Sequence, residues 1–418
     1  MKLIIGTGKT GQSCANYFAR KNIAYKLLDT RTLSDQDKIL LANTKEIILS
    51  PGIDPALFPN HKIISDIELF AREAKAPIIG ITGTNAKGTV TTLLTNMINA
   101  CNKTALMGGN IGIPALDLLE HEIPDFYVLE ISSFQLEITE HLPCIASVIL
   151  NISPDHLDRH KTMDNYIAAK QRIYLNSQNC IYNLDDSATF PRISPSALSG
   201  LLLPSKISPV ARIERSEIRG NIIGFGLKDI NLLPISELKI KGLHNYSNAL
   251  AALTIGKAIG LQWDKMIDAL KQFPGLEHRC EWVATQHNIT WINDSKGTNI
   301  GATIAALEGL GTKNNIILIA GGQGKGADFN LLKPSVDKYT REVILYGQDA
   351  QLISKALNKT TITDSLKSAV VMAQKLAQPG DIVLLSPACA SWDMFKDFED
   401  RGRQFKDLVK ECIAHEVI

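Results

Sequence analysis

Gly80-Ile81-Thr82-Gly83-Thr84-Asn85-Ala86-Lys87-Gly88-Thr89-Val90 is the stretch that decides the fold. It extends the apolar run Ile78-Ile79 as a strand, turns through small residues, and reaches a lysine and a hydroxyl at the mouth of a helix. That order describes a phosphate cradle. Backbone N–H groups at the helix start face phosphate oxygens, Lys87 supplies a mobile positive charge, and a following hydroxyl can ligate Mg²⁺. Gly83, Thr84, Asn85, Ala86, Lys87, Gly88 and Thr89 are therefore the expected nucleotide-binding residues. A plain βα turn with a solvated lysine would need neither the small residues nor the lysine. The residue after Lys87 is Gly88 rather than a hydroxyl residue, which moves the expected metal ligand to Thr89.

Outward from this loop, short apolar runs such as Lys2-Leu3-Ile4-Ile5, Ile47-Ile48-Leu49, Tyr127-Val128-Leu129, Ile316-Ile317-Leu318-Ile319 and Ile382-Val383-Leu384-Leu385 alternate with helix-like segments. The pattern predicts an α/β protein with mostly parallel sheets. Glycine-rich turns follow strands at Gly6–Gly11, Gly83–Gly88 and Gly321–Gly326, giving one ligand-facing edge per domain. The 418 residues suit about three domains. Boundaries near 75 and 276 divide them into a Rossmann-like domain (1–75), a central P-loop ATPase-like domain (76–275) and a second Rossmann-like domain (276–418). Pro191 to Gly220 is rich in Ser, Pro, Ile and Arg without a clean period and is expected to be an irregular excursion.

The 44 basic and 43 acidic residues leave a net charge of +1, so no global field attracts nucleic acid or an anionic membrane. The seven cysteines are scattered, with no paired metal or redox spacing, and are expected to be reduced. The N-terminus runs straight into a strand and no apolar run spans a bilayer, so a cytoplasmic protein without membrane insertion is expected.

Two further residues stand where a metal-nucleotide edge needs donors. Glu130, at a strand end opposite the phosphate loop, offers hard oxygen; His156, after a second strand, offers nitrogen. Gly6-Thr7-Gly8-Lys9-Thr10-Gly11, with Asp29 ending the second strand, fits a dinucleotide fingerprint and admits a nicotinamide oxidoreductase. That reading leaves the Lys87 loop unexplained.

The Thr-Asn-x-Lys-Gly-Thr arrangement at 84–89 resembles the loop of folylpolyglutamate synthases. The remainder resembles the Mur ligases of peptidoglycan synthesis: Gly108-Gly109-Asn110-Ile111-Gly112, Leu129-Glu130-Ile131-Ser132-Ser133-Phe134-Gln135-Leu136-Glu137 and Asn151-Ile152-Ser153-Pro154-Asp155-His156-Leu157-Asp158-Arg159-His160. The likeness runs from the first glycine turn to Phe398 and points to the branch that adds D-glutamate to UDP-N-acetylmuramoyl-L-alanine.

The resemblance implies ATP and Mg²⁺, two metal sites, and an acyl-phosphate intermediate resolved through a tetrahedral one. It makes Lys87, Glu130, His156, Lys170 and Arg279 the catalytic set, and Thr89, Glu130, His156 and an N-carboxylated Lys170 the metal ligands. A plain ammonium at Lys170 would repel Mg²⁺, whereas a carbamate is an anionic ligand. Asn245 and Asn248 would lie near adenine, Asp294 would hold the ribose, and Arg279 would approach the γ-phosphate. Lys9 and Thr10 would meet the UDP diphosphate, Asp29 and Thr30 the uracil, while Ser50, Asn110 and Gln135 would line the path inward. A dicarboxylate amino acid needs fitted cations and donors, for which Lys296, Thr298, Lys325 and Ser391 are available. Trp392, where a leucine is common, and Phe398 complete that pocket. Partners are small-molecule substrates and a monomer is expected. A folate-directed polyglutamate ligase, an NAD-binding oxidoreductase and a non-catalytic nucleotide-binding regulator are the alternatives.

Overall fold

The computed structural model describes residues 1–191, 220–240 and 242–415. The irregular excursion expected from Pro191 to Gly220 therefore lies, but for those two residues, outside the described residues. The chain divides into two compact units, Met1–Ile235 with Ser247–Gln272, and Ser236–Tyr246 with Phe273–Ile418.

The first unit holds two sheets. β1 (Lys2–Ile5), β2 (Tyr25–Leu28), β3 (Glu46–Leu49) and β4 (Lys62–Ile64) pair in parallel in the order β2-β1-β3-β4. Leu3, Ile4 and Ile5 are buried, as a central parallel strand covered on both faces requires. The order reverses between β1 and β3, which places the first glycine turn at a topological switch point.

β5 (Ile78–Thr82), β6 (Ala105–Gly109), β7 (Phe126–Glu130), β8 (Cys144–Ile149), β9 (Asn179–Asn183) and β10 (Asn221–Phe225) form a six-stranded sheet, β10-β9-β8-β5-β7-β6, parallel throughout. All five residues of β5 are buried. Helix Lys87–Ala100 follows it and buries Val90, Leu93, Leu94, Met97 and Ile98, each such side chain contributing about 1.5–3 kcal/mol. Since β5 lies between β7 and β8, residues closing all three strands gather around one loop.

The second unit holds β11 (Glu281–Gln286), β12 (Ile289–Asn293), β13 (Ile316–Gly321), β14 (Thr340–Tyr346), β15 (Thr360–Ile362) and β16 (Ile382–Leu385), ordered β11-β12-β16-β13-β14-β15. Only the β11–β12 pair, at the edge, is antiparallel. The switch point falls between β13 and β16, so the Gly321 turn and the Ser386–Ser391 segment leave the sheet side by side. Gly321 N–H donates to the Pro387 carbonyl at 2.9 Å. The expected α/β class with mostly parallel sheets is the one observed.

Candidate active site

The phosphate loop is held open by its neighbours. Asn151, just past β8, accepts the Asn85 N–H on Oδ1 at 2.8 Å and donates from Nδ2 to the Asn85 carbonyl at 3.2 Å. The Thr84 hydroxyl meets the Tyr166 hydroxyl at 3.0 Å and accepts the Ser153 N–H at 3.0 Å. Gly83 turns the chain at φ 157° beside Leu150. Ala86 caps the helix at φ 66°, a left-handed conformation that L-residues other than Asn and Asp seldom take. Thr89 lies buried in the first turn.

Two lysines converge on one oxygen. Lys87 Nζ donates to the Gly83 carbonyl at 2.9 Å and to that of Thr84 at 2.9 Å. Lys170 Nζ reaches the same Gly83 carbonyl at 2.8 Å from helix Met163–Gln171. Two ammonium groups on one acceptor repel strongly in a low-dielectric site. Burial first, and the Lys87 charge second, push the Lys170 ammonium well below the usual lysine range. Lys170 is 2% exposed, with Nζ 4.7 Å from the Tyr166 ring centre. The sequence alone reads it as a solvated helix lysine; the structure makes it a buried, readily deprotonated amine.

Glu130 ends β7, is 5% exposed and, with Asp155, belongs to the carboxylates whose field reaches Lys170. Its Oε1 accepts from Asn110 Nδ2 at 2.7 Å, and its backbone carbonyl accepts the Asn110 N–H at 2.8 Å. Asn110 thus fixes Glu130 from two sides. His156 sits at φ 54° against the edge of Phe134, ring centres 4.9 Å apart. Phe134 also stacks on His160 at 5.3 Å, and His160 Nε2 meets the Ser133 hydroxyl at 3.0 Å. Burial pushes the His160 imidazole down to about 4, so it stays neutral and holds the Ser133–Phe134 turn in place. Among the described residues no three His, Cys, Asp or Glu side chains form a ready metal cluster. The Glu130 carboxylate and the Thr89 hydroxyl are hard oxygen donors of the kind Mg²⁺ takes, whereas the Lys170 amine as it stands is not.

Gln135 is held by contacts within the first unit. It is 2% exposed; Oε1 accepts the Ser132 N–H at 3.1 Å in a capping box, and Nε2 donates to both oxygens of Asp66 at 3.1 and 3.4 Å. Burial pushes the Asp66 carboxyl up to about 6.

At the first glycine turn, Gly6 runs at φ 108°, and a Cβ on Gly11 would strike the Gly6 carbonyl oxygen. The Ser50 hydroxyl donates to that same carbonyl at 3.3 Å. Lys9 and Thr10 open helix Lys9–Arg20, which has no side-chain cap, so their end of the helix presents backbone donors. Arg31 binds Asp29 in a fork, Nε to Oδ1 at 3.0 Å and a terminal nitrogen to Oδ2 at 2.6 Å, and holds its carboxyl down to about 2. Thr30 adjoins this pair at half-buried depth.

In the second unit, Asp294 closes the turn after β12. Its Oδ2 accepts from Ser386 Oγ at 2.7 Å and its Oδ1 accepts the Cys280 N–H at 3.2 Å. Burial pushes its carboxyl up to about 6, with the Arg279 charge acting the other way. Arg279 lies between His278 and Cys280, both left-handed at φ 63° and 46°. Lys296 Nζ stands 3.5 Å from the Phe398 ring centre, and the Thr298 N–H donates to the Lys296 carbonyl at 2.8 Å. Lys325 takes φ 51° and sits over the Trp392 ring at 5.9 Å; Trp392 is 71% exposed. Ser391 is buried next to the Gln323–Ala390 bridge. Asn245 and Asn248, one turn apart on helix Leu243–Ala258, are both buried. Sequence reasoning passed over Asn151, Tyr166, Phe134 and His160 as individual residues; three of them lie inside the quoted motifs.

A parallel α/β architecture with a lysine-bearing phosphate loop and a second lysine buried against it is that of a phosphate-binding, nucleotide-handling protein. The Mur ligase middle domain model matches residues 81–256, and the model described as Mur ligase, glutamate ligase domain, matches residues 278–389. The chain belongs to the Mur ligase family. It is 45% identical to the UDP-N-acetylmuramoylalanine–D-glutamate ligase of Acinetobacter baylyi, over 99% of this chain and 98% of that one. Among solved structures, the MurF ligase of Thermotoga maritima in complex with ADP shares the fold at TM-score 0.61 and 15% identity, covering 99% of this chain and 95% of that one. A bifunctional folylpolyglutamate synthase/dihydrofolate synthase from Yersinia pestis does so at TM-score 0.58 and 14% identity, covering 82% and 93%.

Proposed function

We infer that this chain is an ATP-dependent ligase that joins D-glutamate to UDP-N-acetylmuramoyl-L-alanine in peptidoglycan precursor synthesis. The observation that carries the reading is the convergence of Lys87 and Lys170 on the Gly83 carbonyl beside Glu130. A loop built for phosphate would need the first lysine as a cation and the second as something other than a cation.

Lys170 fills that need as a carbamate. Its neutral amine attacks CO₂ and releases a proton, giving an anionic oxygen donor. Glu130, Thr89, His156 and carboxylated Lys170 would then hold Mg²⁺, which supplies charge neutralisation for phosphoryl transfer. Gly83 to Thr89 bind the ATP phosphates through backbone N–H groups and Lys87, while Arg279 steadies the transferring γ-phosphoryl group. The alanyl carboxylate takes that group, forming an acyl phosphate because carboxylate oxygen alone is a poor leaving group. The D-glutamate amine attacks the acyl carbon and phosphate departs from the tetrahedral intermediate. Asn245, Asn248 and Asp294 serve the nucleoside. Lys9, Thr10, Asp29, Thr30, Ser50 and Asn110 serve the UDP-sugar. Lys296, Thr298, Lys325, Ser391 and Phe398 receive D-glutamate, and Gln135 supports the site through Asp66. On this reading residues 1–75, 76–275 and 276–418 bind UDP-sugar, ATP and amino acid respectively, in a cytoplasmic monomer.

The test is phosphate release with ATP, Mg²⁺ and bicarbonate. Release requiring both UDP-N-acetylmuramoyl-L-alanine and D-glutamate, and absent with L-glutamate or L-lysine, is the expected result. Release with a folate and L-glutamate instead would move the chain to the polyglutamate ligases, whose loop Gly88 resembles.

A further inference from the structure

Among the described residues, the most deeply buried cation of the second unit belongs to no site described so far. Arg401, on helix Phe398–His415, is 0% exposed, and among the described residues no carboxylate forms an ion pair with it. Its guanidinium is instead spent on two loops. Nε donates to Ser295 Oγ at 3.0 Å and one terminal nitrogen to the Ser295 carbonyl at 2.8 Å. Both terminal nitrogens donate to the Cys389 carbonyl at 3.2 Å. Ser295 Oγ in turn donates to the Phe398 carbonyl at 2.8 Å. The neighbouring Gly402 leaves room for the His278 ring, which a Cβ there would strike, and its carbonyl accepts from Asn293 Nδ2 at 3.4 Å.

Burying a guanidinium without a counter-charge is expensive, and an apolar side chain of similar volume normally serves packing better. What an apolar side chain cannot do is bridge two loops with a planar fork. The bridged loops are the one carrying Asp294, Lys296 and Thr298 and the one ending in Ser391. We propose that Arg401 is the positioning residue of the amino-acid site, setting the spacing between these loops and adding a fixed positive field that favours a side chain bearing a second carboxylate. This rests on the reading that the two loops receive D-glutamate.

Three variants test it. R401K keeps the charge and loses the fork; R401M keeps the volume and loses both; S295A removes one acceptor while preserving a small, buried side chain. Wild type is measured first, because failure of D-glutamate-dependent phosphate release there would count against the functional reading and not against Arg401. With wild type active, the expected result is a rise of about tenfold or more in KM for D-glutamate in R401K and R401M, and a smaller rise in S295A, with KM for ATP and the UDP-sugar changed less than about twofold. R401M alone should also lose discrimination between D-glutamate and D-glutamine. An unchanged KM for D-glutamate in a folded variant, or an equal rise in all three KM values, would overturn the proposal. If R401M and R401K melt below assay temperature, S295A decides by the same two criteria.

Discussion

Ala86 carries a left-handed backbone where the phosphate loop enters its helix. An L-residue there costs about 1–2 kcal/mol, whereas glycine costs about 0.4–1 kcal/mol through the freedom it adds to the unfolded chain. The balance favours glycine. A86G should therefore stabilise the protein by about 0.5–1 kcal/mol, read by calorimetry as a rise of a few degrees in Tm. Lys170 makes a second prediction. A neutral buried amine should take up ¹³C-labelled bicarbonate as a carbamate with its own NMR resonance, and K170M should lack that signal and lose at least about a hundredfold in phosphate release. Asp66 makes a third. Its folded value of about 6 stands above the roughly 3.9 of an unfolded aspartate, so between about pH 4 and 6 the native state holds the extra proton. Stability linked to this group is present below pH 4 and lost as pH rises through 6. D66N, which still accepts from Gln135, should match wild type near pH 4 and exceed it at pH 7 by on the order of 2 kcal/mol in thermal unfolding.

The short helix Ser133–Glu137 shows how one element places several groups. Ser132 caps it, Gln135 closes the cap and reaches Asp66, and Phe134 props the rings of His156 and His160. S132A removes the cap and should lower stability by about 1 kcal/mol, with a fall in kcat through His156 but unchanged KM for D-glutamate. The same helix marks where the sequence could be read and where it could not. Strands such as β5 and β13 were legible because runs of β-branched residues have one meaning in an α/β chain, and the phosphate loop because its order of small residues, lysine and hydroxyl is a local device. Gln135 was not, since a glutamine that caps a helix and one that faces a ligand look alike until long-range packing delivers Asp66. Lys170 reads as a helix-surface cation for the same reason: what it meets comes from Gly83, far off in the chain.

For the whole molecule, 44 basic against 43 acidic residues and a pI of about 7.6 leave little charge to keep copies apart at neutral pH. Solubility should pass through a minimum near that pI and rise on either side, a turbidity series in pH being sufficient to see it. With so little net charge, anionic substrates are attracted only by local groups.

β16 has a consequence in time. It lies between β12 and β13, so the central strand of the third sheet is the last to be synthesised. While the ribosome is still making the chain before Ile382, β12 and β13 have no shared neighbour and their inner edges stay open. Arg401 emerges later still. The nascent second unit is thus obliged to wait, exposed to rival strands, until its final stretch closes the sheet, and a chain interrupted before that point would be a substrate for chaperones rather than a partial enzyme.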